Sequence, residues 1–86
     1  MLQFFTQNNF GGVFMIFNKR ARDLREDLGL SQDDIAQRLG ISRATVNRYE
    51  NDRFDLKLSY AVKLAEIYNV SLDYLTGLIN EPRPLK

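Results

Sequence analysis

With 86 residues, 44% of them hydrophobic, the chain has room for one domain with one modest core and none for a second ligand-sensing unit. Cysteine and histidine are both absent, which excludes disulfide scaffolding, thiolate chemistry, zinc fingers and every histidine-dependent acid–base scheme. Twelve Lys/Arg against eleven Asp/Glu leave a net charge of +1, too little for the overall field to drive non-specific binding to a polyanion.

Residues 1–17, MLQFFTQNNFGGVFMIF, carry no charged side chain, are rich in Phe and contain Gly11-Gly12. The apolar part is too short to span a bilayer and has no basic n-region, so neither a membrane span nor a signal peptide fits. Two readings remain. In one, the segment is an apolar arm that lays Phe4, Phe5, Phe10 or Phe14 on the domain or on a second subunit. In the other, Met15 is the natural start and residues 1–14 are translated leader. Gly-Gly-Val can be encoded as GGAGGTGTN, and GGAGGT shortly before ATG is a ribosome-binding sequence.

From Asn18 the spacing predicts a series of short helices. Asn18 is expected to N-cap a first helix to Leu28, with Ala21, Leu24 and Leu28 on its buried face and Gly29 as its stop. Ser31 is the next cap, followed by Asp33 and Asp34 in the first turn, where the helix dipole favours negative charge. Ile35, Ala36 and Leu39 form the buried stripe, and Gly40 supplies a left-handed residue that ends the helix. Ser42 caps a third helix to about Asn51, and DRFDLK is a turn-bearing connection.

A fourth helix, about Leu58 to Tyr68, spaces Leu58, Ala61, Val62, Leu64, Ala65 and Tyr68 for burial. Ser71 caps a last short helix, LDYL, closed by Gly77, and the tail from Asn80, with Pro82 and Pro84, is expected to be loose. No stretch alternates like a strand. The expected fold is all-α, divided into an arm or leader at 1–17, a domain at 18–79 and a tail at 80–86.

Two short helices joined by GIS (Gly40-Ile41-Ser42), with small Ala36 beneath the turn, make a helix-turn-helix. On a 100° wheel of the third helix, Val46 and Tyr49 point inward, with Thr45 and Glu50 at the borders. Arg43, Ala44, Asn47, Arg48 and Asn51 fall on the opposite side, which has no apolar residue larger than alanine and so is not a hidden core face. Arg43, Arg48 and Arg53 follow at roughly even spacing between Arg38 and Lys57, whereas Asp23, Asp27, Asp33 and Asp34 cluster earlier. This distribution allows one basic face on a near-neutral protein.

LREDLGLSQDDIAQRLGISRATVNRYENDR followed by LAEIYNVSLDYLTG resembles the phage Cro/repressor (XRE) helix-turn-helix family over about Asn18 to Leu78. Several separated elements agree: LGLSQ, the LGIS turn, YEN and VSLDYL. The resemblance implies a five-helix domain that binds double-stranded operator DNA, usually as a homodimer, without a cofactor or catalytic site. It assigns base-edge contacts in the major groove to Arg43, Ala44 and Arg48, with Thr45 and Asn47 beside them. Phosphate contacts go to Gln32, Ser42, Asn51 and Arg53, and a structural ion pair to Arg25 and Glu50. The chemistry suits these roles: Arg can donate two bonds to guanine O6 and N7, and alanine offers a methyl-sized contact to thymine. Gln32 opens a helix where backbone N–H groups favour phosphate.

Departures from the family pattern are Asp52, where glycine is common, and Leu56-Lys57 in place of proline and a small polar cap. They weaken Arg53's assignment and predict a looser start for the fourth helix. The plain alternative for Arg43 and Arg48 is a solvated helix face, and for Gln32 an ordinary first-turn residue. Tyr68 is expected in the core, while Tyr74 and Leu75 are candidates for a dimer seam. The function expected is a cytoplasmic, sequence-specific transcriptional regulator, a repressor occupying an operator. The rivals are an antitoxin with a DNA-binding domain, against which the short NEPRPLK end argues, and a protein-interaction module whose DNA binding is vestigial.

Overall fold

The computed structural model describes the backbone of residues 7–51 and 57–84, and the side chains of residues 15–51 and 57–84. Five helices follow one another: α1 (Gln7–Asp27), α2 (Gln32–Leu39), α3 (Arg43–Asn51), α4 (Leu58–Tyr68) and α5 (Leu72–Thr76). Among the described residues there is no strand, so the all-α expectation holds. Helix α2 packs on α3, α1 packs on α3, α4 and α5, and α4 packs on α5.

Each helix gives the core one fully buried large side chain: Phe17 from α1, Ile35 from α2, Val46 from α3, Leu64 from α4 and Leu75 from α5. Aromatic rings join three of the helices. Tyr49 of α3 stacks on Tyr60 of α4 with centroids 4.0 Å apart, and Phe17 of α1 meets Tyr60 edge-on at 6.4 Å. Such pairs add to the area they bury because ring edge and ring face carry opposite partial charge.

The predicted caps are in place where the signal is local. Ser31 and Asp34 form a capping box: the Ser31 hydroxyl accepts from Asp34 N at 3.0 Å, and Asp34 Oδ2 accepts from Ser31 N at 2.8 Å. Ser71 Oγ accepts from Tyr74 N at 3.1 Å, and α5 ends at Gly77 with φ of +92°. The backbone conformation requires glycine at Gly77, and a Cβ there would also press on Ile16 Cδ1 at 2.9 Å, the movable end of an exposed side chain. Lys57 precedes α4 without a side-chain cap, as the departure at Leu56-Lys57 predicts, and α4 ends at left-handed Asn69.

Several expectations need correction. Asn18 does not cap α1, because the helix runs on through Gly11-Gly12 to Gln7. Phe17 is core and Ile16 covers Gly77, so these two residues of the expected arm pack with the helical domain. Leu28, Leu58 and Val62 are exposed, since helical spacing marks a stripe wider than the area their neighbours cover. Leu75 is wholly buried and thus no dimer seam. Tyr74 is half-buried beneath Arg20, whose guanidinium lies 4.2 Å from the ring centroid. Arg20 Nη1 donates to the carbonyls of Tyr74 and Ile79, and the exposed tail expected to be loose is held at two points, where Arg20 Nη2 donates to Asn80 Oδ1 at 3.4 Å and Ser71 N donates to Arg83 O at 2.8 Å. The placement of Phe4, Phe5, Phe10 and Phe14 lies outside the described side chains.

Candidate nucleic-acid interface

The turn between α2 and α3 is set by Gly40, at φ of +69°, and by Ile41 N, which donates back to Ala36 O at 3.0 Å. A left-handed residue reverses the chain in the shortest distance and satisfies the last carbonyls of α2. Helix α3 starts at once, with Ser42 Oγ accepting from Thr45 N at 3.1 Å and meeting Thr45 Oγ1 at 2.8 Å. Val46, Tyr49 and Glu50 are buried and fix the inner side of α3. Arg43, Ala44, Asn47, Arg48 and Asn51 are all exposed, so the residues predicted to share an outward face do so. Thr45 stays half-buried at its edge. Among the described residues Arg43 has no hydrogen-bond or ion-pair partner, and it borders an open groove shared with Arg25, Ser31, Gln32 and Asp33.

Behind this face, Arg25 of α1 holds Glu50 of α3 in a two-bond clasp: Nε to Oε2 at 2.8 Å and Nη2 to Oε1 at 2.9 Å. A third bond, Nη1 to Leu30 O at 2.9 Å, ties the same guanidinium to the α1–α2 connection. The Glu50 side chain is only 2% exposed, deeper than the border position the wheel gives it. Its hydrogen bonds raise the Arg25 pKa above the ordinary arginine value, against the opposing effect of burial. Nearby, the Ser31 backbone N–H and hydroxyl hold the Asp34 carboxyl below the usual carboxylate range. Burial pushes the hydroxyls of Tyr60 and Tyr68 above the usual tyrosine range, and Tyr68 Oη has no hydrogen-bond partner among the described residues.

A chain of amides leads from the ion pair to the surface. Gln32 Nε2 donates to Glu50 Oε1 at 3.1 Å and to Asn47 Oδ1 at 3.2 Å. Asn51 Nδ2 donates to Asn47 Oδ1 and to the Asn47 backbone carbonyl, each at 2.9 Å. The i, i+4 spacing of Asn47 and Asn51 is a readable signal for the second link. The first link joins residues 15 apart and has no local signature.

A family model described as helix-turn-helix matches residues 22–75. The chain belongs to this family. Every candidate site residue from Arg25 to Arg53 lies inside the family's matched span, and the match agrees with the Cro/repressor (XRE) resemblance. Among curated proteins the chain is similar to the uncharacterized HTH-type transcriptional regulator YobD of Bacillus subtilis (strain 168). The two are 33% identical over 69 residues, covering 80% of this chain and 62% of the relative. It is also similar to the HTH-type transcriptional regulator ImmR of the same organism, 36% identical over 63 residues, covering 73% of this chain and 50% of the relative. The chain thus spans between half and about three fifths of the length of these family members. Arg53, with Asp52 and Leu56, lies outside the described residues. No helix among the described residues is long and apolar enough to cross a membrane.

Proposed function

We propose that the chain is a sequence-specific DNA-binding transcriptional regulator, a repressor that occupies its operator with α3 in the major groove. The observation that carries this reading is the exposed α3 face, where Arg43, Ala44, Asn47, Arg48 and Asn51 stand opposite the buried Val46, Tyr49 and Glu50. A major groove admits one helix, and an outward row of arginine and amide side chains on a packed helix is what base-edge recognition needs. Relatives named as transcriptional regulators support the same reading.

In this reading Arg43 and Arg48 donate to guanine edges and Ala44 contacts a thymine methyl, with Thr45 and Asn47 at the flanks. Ser42, Arg53 and the start of α2 meet phosphates. Both side-chain N–H groups of Gln32 have acceptors within the protein, so its phosphate contact is the backbone N–H at the helix N-terminus. Both N–H groups of Asn51 are likewise engaged, and its part is to hold Asn47 rather than to reach a phosphate. The protein works in the cytoplasm, as a homodimer on a two-fold site. Selecting bound sequences from a random DNA pool tests the reading. A single enriched motif with two-fold symmetry is expected, and a pool that stays random contradicts it.

A further inference from the structure

Three side-chain amides meet at the exposed end of the buried ion pair, and atoms that can only accept fix their orientation. The Glu50 carboxylate lies 3.1 Å from the Gln32 amide, so the atom facing it is the nitrogen. The Asn47 backbone carbonyl lies 2.9 Å from the Asn51 amide, so that atom too is nitrogen. Both nitrogens also approach one and the same side-chain atom of Asn47, at 3.2 and 2.9 Å. An atom that meets two donors is the oxygen. Gln32 and Asn51 each then have two acceptors for two N–H groups, and the Asn47 oxygen has both its acceptor places filled. What this trio still offers as a donor is Asn47 Nδ2, which has no hydrogen-bond partner among the described residues and belongs to an exposed side chain one turn from Arg43.

We infer that Asn47 is a donor-only specificity residue. On an operator its Nδ2 donates to a single acceptor on a base edge: N7 or O6 of a purine, or O4 of thymine. It does not form the two-bond pair with adenine, which needs the amide oxygen to accept from N6 while the nitrogen donates to N7. Gln32 and Asn51 are positioning residues that hold that oxygen, and Gln32 in turn takes its place from Glu50. The inference rests on the operator-binding reading above and deepens it by stating which chemical edge this position recognises.

The test compares wild type and Asn47→Ala on the selected operator, with one groove-facing base group deleted at a time. Deleted acceptors are purine N7 or O6 and thymine O4; deleted donors are adenine N6 and cytosine N4. Asn47→Ala is expected to weaken binding about fivefold on the intact site, the worth of one hydrogen bond. That loss should vanish on one duplex lacking an acceptor and persist on every duplex lacking a donor. Asn47→Asp keeps the oxygen that Gln32 and Asn51 hold but removes the donor, and should bind no better than Asn47→Ala. Cancellation on a duplex lacking adenine N6, or on none of the duplexes, overturns the inference while leaving operator binding intact. A wild-type protein that selects no sequence overturns the operator reading and the inference with it.

Discussion

Arg25 and Glu50, 25 residues apart, close on each other with two side-by-side bonds of 2.8 and 2.9 Å across the α1–α3 contact. Both side chains are at most one tenth exposed, so each charge depends on the other for its solvation. Removing one partner strands the remaining charge. Glu50→Ala is expected to cost about 3 kcal/mol in urea unfolding. Replacing both, as Arg25→Met with Glu50→Leu, should cost much less than the sum of the single changes, because no buried charge is left. An unchanged urea midpoint in Glu50→Ala would show that the pair does not hold the fold.

Arg20 joins α1 to the end of the chain by covering the Tyr74 ring and donating to the carbonyls of Tyr74 and Ile79. Arg20→Ala should lower stability by roughly 1–3 kcal/mol and speed amide exchange at Gly77 and Leu78. Arg20→Lys should restore little, since an ammonium lacks the planar fork that stacks on a ring while donating sideways. Native exchange rates in both variants would contradict this role.

The capping box predicts an acid-side effect. The Asp34 carboxyl titrates below its ordinary value of 3.8 because Ser31 N–H and the hydroxyl favour the carboxylate in the folded state. Its contribution is therefore full above the unfolded value and is lost as pH falls through the lower folded value. Between wild type and Asp34→Asn, the stability difference should shrink as pH is taken from roughly 5 downward. A difference that is constant across that range would remove Asp34 from the acid response.

Residues 15–17 belong with the helical domain through Ile16 against Gly77 and Phe17 in the core. A chain beginning at Met15 is expected to keep its helical circular dichroism and its DNA affinity. Collapse of folding, or conversion of a dimer to monomer, would make the preceding residues structural.

The legible parts of this fold are the local ones. Ser31, Gly40, Ser42, Ser71 and Gly77 act within three or four residues of themselves, and each stands where its cap or stop was expected. Arg25 and Glu50 were visible only through the family resemblance, since no periodicity pairs an arginine with a glutamate 25 positions on. Phe17 escaped because an uncharged run from 1 to 17 gives the helical period no polar side to stand against. Leu58 and Val62 differ for the converse reason: their spacing is helical, but both are exposed on α4 and no other described helix buries them. The outward face of α3 was readable from the wheel. The hold of Gln32 on Asn47, and the donor it leaves, required three dimensions.

Arg43 and Arg48 carry the central claim, that α3 reads base edges rather than merely attracting DNA. The measurement is binding of Arg43→Ala and Arg48→Ala, each shown to have wild-type helicity, to the selected operator and to its single-base variants at several salt concentrations. Each substitution should cost about 1–3 kcal/mol on the preferred site and flatten the preference at one or two base pairs. Arg53→Ala should instead weaken all sequences alike and lower the salt slope by roughly one unit, because phosphates carry no sequence information. If Arg43→Ala and Arg48→Ala lower affinity equally for every variant, these arginines supply charge alone and α3 is not the recognition helix.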